Sequence, residues 1–383
     1  MAFASMNYFI YHQKIIYAEE LFLKDSIQSS LTAYKYIFTE YKPFAKDAFI
    51  ALELACMIKD TSNANYFFNQ CCKAGINWEV FNRVVYVKQF INETEYRKQA
   101  FTRTYNLERK YYYKRLNNNL RKYLISLSKK DDTIKKDMFL SKKAYLGKIE
   151  SLSNHERALY DKSIEQHSLL QKYRKAKHDS SSAYYETLKR NLKKTYIPYQ
   201  KADTVYVDLL EKNILILDSI SKMLGYVPGD KTIGIVDHDI DDYSSIRLSF
   251  TFTPIIVHTI YHHGCGFWMM QEELRESVKR GELHPRYYAA MYDNSYCDIE
   301  SKTYNPTRTN LSQLYKIKCT LPNKDYTYNI IAFNCPIENV EKSFINKCRS
   351  QLSIASIEHD HKKMEYAQKH HLILFFGLLG NEM

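Results

Sequence analysis

The chain has 383 residues, 45% of them hydrophobic, which is enough apolar material for two or three folded domains. This proportion excludes an intrinsically disordered protein. Lys and Arg number 55 against 43 Asp and Glu, and the resulting net charge of +12 favours acidic partners such as nucleic acid, an anionic membrane or an acidic protein.

The first residues, MAFASMNYFIYHQKIIYAEELFL, contain no basic stretch followed by a continuous apolar run. They therefore predict neither a signal peptide nor a membrane anchor. The expected location is the cytoplasm, or the periplasm or cell exterior if a native signal sequence precedes this chain. Eight scattered cysteines without a C-x-x-C pair predict reduced core thiols rather than a disulfide framework.

Segment 1–95 contains an internal repeat. Lys24-Asp25-Ser26 and Lys59-Asp60-Thr61 lie 35 positions apart, each between an apolar helical stretch and a second helix. This pattern resembles degenerate tetratricopeptide-like repeats, which implies stacked helical hairpins with a concave surface for a protein or peptide partner. A helical bundle that serves only as a spacer is the alternative.

Segment 96–204 is a basic, Tyr-rich region predicted to form long helices, since proline and glycine are rare before Pro198. The segment from Arg97 to Lys148 contains sixteen Lys and Arg residues but only four Asp and Glu residues. Within it, the stretch ERKYYYKRLNNNLRKY alternates Tyr with basic residues. This mixture is typical of nucleic-acid contacts. The alternative is a solvated helix face over a buried apolar stripe. The candidate nucleic-acid contacts are Arg109, Lys110, Lys114, Arg115, Arg121 and Lys122.

Segment 205–366 is predicted to be an α-rich C-terminal domain. An amphipathic helix ends at Gly225, and two further helices are separated at Gly281, the second of them opened by Pro285. The stretches QLYKIKC and YTYNIIAFNC flank TLPNKD and predict a small β-hairpin. The complete chain is therefore expected to be mostly α.

A series of motifs in this segment points to a family. Asp208, Asn213, Leu224-Gly225 and Gly234 are followed by HH at 262–263, GELHPRYYAAMYD at 281–293 and INKCRSQLSI at 345–354. This order resembles an uncharacterised, Bacteroidetes-type family of bacterial domains, often found behind helical repeats. The resemblance covers residues 205–365 and implies no established activity.

The stretch HTIYHHGCGFW places His258 and His262 four residues apart on a predicted helix, as in helical zinc sites. Thr259 occupies the position of the general base, so the zinc-protease motif is absent. The alternative is that the histidines bond the free carbonyls at a helix C-terminus. The candidate pocket consists of His258, His262, His263, Trp268 and Asp293, and the candidate metal ligands are His258, His262, Asp237 and His238, with His359 and His361 as further donors.

These patterns predict an interaction or scaffold protein with a ligand- or partner-binding C-terminal domain. The alternatives are a nucleic-acid-binding accessory protein and a metal-dependent hydrolase at the histidine cluster. No cofactor is predicted apart from a divalent metal ion at that cluster, and no membrane span is expected. The apolar tail, 367–383, is too short to cross a bilayer and is predicted to dock on the last domain or on a second copy, giving a homo-oligomer.

Overall fold

The computed structural model describes residues 7–151, 182–235, 266–289, 291–292 and 342–374. All regular secondary structure in these residues is helical, so the predicted mostly-α fold is confirmed. The predicted β-hairpin lies outside the described residues. The helices are α1 (Tyr8–Leu23), α2 (Ile27–Glu40), α3 (Ala45–Met57), α4 (Thr61–Ala74), α5 (Trp78–Arg83), α6 (Val85–Asn92), α7 (Glu95–Arg115), α8 (Asn118–Glu150), α9 (Ser182–Leu224), α10 (Gly266–Met269), α11 (Gln271–Arg280), α12 (Lys342–Gln351) and α13 (Ile357–His370), with a short helix at 285–289.

The first four helices form two helical hairpins, α1 with α2 and α3 with α4. The N-caps of the second helices are Ser26 and Asp60, and the turns before them contain Asp25 (φ 58°) and Lys59 (φ 56°). Equivalent backbone positions are therefore 34 residues apart, one fewer than the offset between the matching letters. The difference arises because Asp60 caps its helix, accepting from Asn63 N at 3.0 Å, whereas Asp25 lies within the turn.

Helix α3 is the centre of the N-terminal helical array, which we define as α1–α6. Its sequence AKDAFIALELACM is apolar on nearly every face, and a helix of this kind is stable only when it is surrounded. It packs against α2, α4 and α6. Tyr366, Leu372 and Leu374 from the C-terminal part of the chain belong to the same hydrophobic core. The array therefore packs against the chain's own C-terminal segment.

The described part of the C-terminal tail is not helical beyond α13. His371 takes a left-handed conformation (φ 55°) that ends α13, and residues 372–374 continue without regular structure. The hydroxyl of Tyr86 donates to the carbonyl of His370 at 3.0 Å. The backbone N–H of Ile373 donates to both carboxyl oxygens of Glu53, at 3.2 and 3.0 Å. Both contacts fix the tail to the array.

The chain divides into two compact units. The first contains Met1–Ile125 and Ile214–Met383, and the second contains Ser126–Asn213. In the second unit, α8 and α9 share a small core of Met138, Tyr206 and Leu210. Helix α9 runs without interruption through residues 204 and 205, where the sequence suggested a domain boundary. None of the described helices combines the length and apolar composition needed to cross a membrane.

The loop after α9 fixes the turn that follows α11. The carboxylate of Glu282 accepts hydrogen bonds from the backbone N–H groups of Gly229, Lys231 and Thr232, at 2.9, 3.1 and 3.0 Å. Glycine is required at position 229, because a Cβ atom there would lie 2.0 Å from the carbonyl oxygen of Glu282. Through these contacts the loop holds residue 284 in place beside α1.

Candidate functional site

A buried cluster of charged and imidazole side chains lies where α1 meets the start of α3, the turn at 284–286 and α13. At its centre is a cavity of about 20 Å³, which has room for one water molecule or one small ion. We call this cluster, with its cavity, the ionic pocket. The polar residues that line the cavity include His12, Glu19, Lys46, His284, Arg286 and Lys363.

Helix periodicity places the α1 and α13 residues of the pocket. His12 and Glu19 are seven residues apart on α1 and therefore lie on the same face, two turns from each other. His359 and Lys363 are four apart on α13 and share a face in the same way. Because the buried faces of α1 and α13 pack together, these four side chains meet in the interior.

His284, whose side chain lines the pocket, is the residue directly before the short helix at 285–289. Pro285 opens the helix at 285–289, and the backbone N–H of Arg286 donates to Nδ1 of His284 at 3.2 Å. The rings of His284 and His12 are in edge-to-face contact, with centroids 4.7 Å apart. The same two rings pack on Phe44, at centroid distances of 5.3 Å.

His12, Asp47 and His284 form the tightest group of metal-type donors among the described residues. One ligand atom from each lies within 4.8 Å of the others, and all three side chains are buried. Nε2 of His12 and Oδ1 of Asp47 have no hydrogen-bond partner within the described part of the chain. The ammonium group of Lys46 lies 3.2 Å from Oδ1 of Asp47. Tyr11 donates to the other oxygen of Asp47 at 2.7 Å and thereby orients the carboxylate.

A buried ion pair joins α1 to α13. Glu19 accepts from the ammonium group of Lys363, and its second oxygen lies 3.0 Å from Nε2 of His359. Burial alone would raise the pKa of Glu19, but Lys363 and His359 outweigh this effect and hold the pKa well below its usual range. Glu19 is therefore a carboxylate at physiological pH.

A second buried network surrounds Asp360. Its carboxylate accepts two hydrogen bonds from the guanidinium group of Arg286 and one from that of Arg349, at 2.7 Å. Burial would raise the pKa of Asp360, but the two cations, Arg286 first, lower it below the usual value. This network connects the turn at 284–286 to both α12 and α13.

The imidazoles of His12 and His284 are neutral at physiological pH. Burial lowers the pKa of His12 and of His284 well below the usual value, and the positive charge of nearby Lys46 lowers both further. A neutral imidazole carries a lone pair that can bind a proton donor or a metal ion. The carboxylates of the pocket are held in ion pairs, so the arrangement favours binding over proton transfer.

The structure does not describe most residues of the predicted histidine site. His258, His262, His263 and Asp293 lie outside the described residues, as do Asp237 and His238. Trp268 belongs to α10, where only its backbone is described. Of the further donors suggested by the sequence, His359 pairs with Glu19, and His361 is exposed on α13.

The candidate nucleic-acid contacts fall into two groups. Arg109, Arg115 and Arg121 donate to backbone carbonyls, those of Gly75 at 2.7 Å, Lys73 at 2.8 Å and Ile233 respectively. These arginines and the carbonyls that they bind all belong to the first unit. Lys110, Lys114 and Lys122 are exposed. The lysines are therefore the members of the set that are available to a partner.

Sequence reasoning did not find the central residues of the ionic pocket. His284 lies in GELHPRYYAAMYD, which attracted attention only through the family resemblance. No spacing rule connects positions 12, 47 and 284, because their proximity depends on packing between distant segments. The available signal was the placement of His12 and Glu19 among the apolar residues of one face of α1.

No protein-family model, curated protein or solved structure matches the chain.

Proposed function

We propose that this chain is a binding protein of the interaction or scaffold class, and that its ligand site is the ionic pocket. The observation that carries the proposal is Nε2 of His12, which is buried beside a cavity and has no hydrogen-bond partner among the described residues. Buried polar atoms in folded proteins are nearly always paired, with protein, water or a bound group. An unpaired imidazole at a cavity of ion size therefore supports a small ligand there.

The position of the pocket supports a role in controlling how the C-terminal segment packs on the array. The pocket is built from α1, α3, the turn at 284–286 and α13, which are far apart in sequence. A ligand that contacts several of these segments binds only when they are assembled. Such a ligand stabilises the assembled state by mass action. We infer that ligand binding strengthens the contact between the array and α13, and that a protein partner recognises the assembled form.

The pocket is expected to bind at least one of a set of small ions: chloride, formate, acetate, inorganic phosphate, Zn²⁺ and Mn²⁺. A ligand at 100 times its Kd adds about 2.7 kcal/mol to the free energy of unfolding. We therefore expect an increase in Tm of about 3 °C for the full chain. Thermal denaturation with each ion, followed by circular dichroism, measures this effect.

His12→Gln is expected to abolish the increase in Tm, because it removes the unpaired imidazole. His361→Gln is the matched control, since it makes the same change at an exposed position of α13 and should leave the increase intact. The proposal is wrong if no ion raises the Tm of the natural chain, or if the His12→Gln variant responds as strongly as the natural chain does.

A second candidate function is binding of a nucleic acid by the basic helices. The observation that favours it is the exposure of Lys110, Lys114 and Lys122 on helices with a large excess of cations. Contacts from lysine to phosphate release counterions, so such binding weakens steeply as salt increases. The basic face would then recruit the chain to a polyanionic partner.

Changing Lys110, Lys114 and Lys122 together to Glu is expected to reduce affinity for single-stranded RNA or DNA by at least about tenfold in low salt. Fluorescence anisotropy with a labelled oligonucleotide measures the affinity and its salt dependence. Arg109, Arg115 and Arg121 must stay, because their reversal would remove contacts to backbone carbonyls and destabilise the fold. Unchanged affinity in the triple variant would exclude this function.

We place the protein in the cytoplasm. Cys56, Cys71 and Cys72 are free and buried, and burial raises the pKa of all three thiols. Protonated, buried thiols are compatible with a reducing compartment. Thiol titration of the native and the unfolded chain under non-reducing conditions tests the free state of these cysteines.

A further inference from the structure

We propose that His12, Asp47 and His284 bind a divalent transition-metal ion of the Zn²⁺ type in the ionic pocket, beside the cavity that His12 and His284 line. The inference rests on the proposed function, because it names the class of ligand that the pocket takes. It concerns a different set of residues from the histidine cluster that the sequence suggested.

The first support is the geometry of the three donors. Their ligand atoms lie within 4.8 Å of one another. Zinc binds His nitrogen at about 2.0–2.1 Å and carboxylate oxygen at about 2.0–2.2 Å, so three donors around one ion are separated by roughly 3–4 Å. Small side-chain rotations therefore bring these donors to coordination distance. His12, Asp47 and His284 are 3%, 0% and 7% exposed, so the ion would be shielded from competing solvent.

The second support is the hydrogen bonding of the donors. Nε2 of His12 and Oδ1 of Asp47 have no hydrogen-bond partner within the described residues, although both atoms are buried. A buried imidazole nitrogen without a partner is expected where a ligand binds, and Oδ1 of Asp47 is held by the ion pair with Lys46 alone. Tyr11 holds the other oxygen of Asp47, at 2.7 Å, and itself accepts from the backbone N–H of Phe44 at 3.2 Å. Contacts of this kind fix a ligating carboxylate in one orientation.

The donor set decides the class of ion. Two imidazoles with one carboxylate suit Zn²⁺ and other divalent transition metals, whereas Ca²⁺ and Mg²⁺ require oxygen donors. Three protein ligands leave one coordination position open on a tetrahedral ion. The cavity of about 20 Å³ that His12 and His284 line has room for one water molecule.

One existing contact opposes the ion. Lys46 pairs with Oδ1 of Asp47 at 3.2 Å, and this oxygen must leave the pair in order to bind the ion. Arg286 N donates to Nδ1 of His284, which leaves Nε2 of that ring as the nitrogen that can bind a metal ion. Lys46 is consequently a competitor for Asp47, and its removal should strengthen metal binding.

The test is a Zn²⁺ titration of the full chain, purified without a polyhistidine tag and treated with a chelator, against a chromogenic zinc indicator. The natural chain is expected to bind one equivalent of Zn²⁺. Asp47→Asn and His12→Gln should each weaken binding by at least about 100-fold, since each removes a ligand. Lys46→Met should strengthen it by about tenfold, because it removes a competing charge. His361→Gln, at an exposed position, should leave the affinity unchanged.

Asp47→Asn keeps the shape of the side chain and an acceptor for Tyr11, so the variant tests the ligand even if His12→Gln fails to fold. The metal site is overturned if the natural chain binds no Zn²⁺, or if binding survives both ligand substitutions. Weaker Zn²⁺ binding in Lys46→Met also overturns it. A chain that responds to chloride or phosphate but not to Zn²⁺ would refute the metal site and leave the proposed binding function standing. A chain that responds to no ion would refute both.

Discussion

Changing Asp360 to Asn is expected to lower the free energy of unfolding by about 3–5 kcal/mol. Asp360 is the shared partner of Arg286 and Arg349, and all three side chains are largely buried. Removing its charge takes the shared carboxylate away from two guanidinium groups in the interior, and breaking a buried ion pair by removing one partner is costly. Equilibrium denaturation of the full chain by urea measures the loss, as a shift of the midpoint.

The matched control is Glu365→Gln on the same helix, at an exposed position. It makes the same chemical change, and its expected effect is within about 0.5 kcal/mol of zero. A loss of less than about 1 kcal/mol in Asp360→Asn would show that solvent or other acceptors satisfy both arginines. In that case the Asp360 network would contribute little to the attachment of α12 and α13 to the turn at 284–286.

Changing Glu53 to Gln is expected to stabilise the chain at alkaline pH, by on the order of 3–5 kcal/mol at pH 8. Burial raises the pKa of Glu53 from its usual value of 4.5 to about 8. Between these two values the folded chain retains a proton that the unfolded chain releases. The stability contributed by this group is therefore complete at acidic pH and is lost as pH rises toward 8. Gln has no proton to lose and keeps a carbonyl oxygen for the N–H of Ile373.

The measurement is the free energy of unfolding of the natural chain and of Glu53→Gln between pH 5 and pH 9. The difference between them should be small at pH 5, grow with pH and become constant above about pH 8. Glu20→Gln, at an exposed position of α1, should show no such trend. A difference that does not change with pH would mean that Glu53 is ionised in the folded chain over the whole range.

The two predictions concern the same structural feature, the attachment of the C-terminal segment to the N-terminal array. Asp360 fixes α13 beside the turn at 284–286, and Glu53 fixes the tail at Ile373. The ionic pocket lies at this attachment. A ligand in the pocket and a proton on Glu53 should therefore both change the stability of one contact surface, and their effects can be compared in one denaturation experiment.

The local elements could be predicted from the sequence, because they depend on neighbours along the chain. Scarcity of proline and glycine predicted the long helix α8, and the repeated Lys-Asp-Ser/Thr motif predicted the turns of the two hairpins. Helix α9 is longer than predicted, because it continues through Pro198 and through the boundary suggested at 204–205. The two matching motifs are 35 residues apart, whereas the structurally equivalent N-caps, Ser26 and Asp60, are 34 apart. The sequence comparison aligned identical residues, but the N-cap determines where each second helix begins. The mostly-α fold could be predicted as well, because the hydrophobic spacing and the capping residues that specify a helix lie within a few residues of one another.

The ionic pocket was decided by tertiary structure alone. His12, Asp47 and His284 come together because α1 packs against α2, α11 and α13, and the loop at 229–232 holds the turn before His284. Glu19 and Lys363 pair across 344 positions of sequence. No local pattern encodes such a distance, since burial and charge pairing are properties of packed surfaces. The sequence determined which helices form, and their packing determined which buried charges and imidazoles meet.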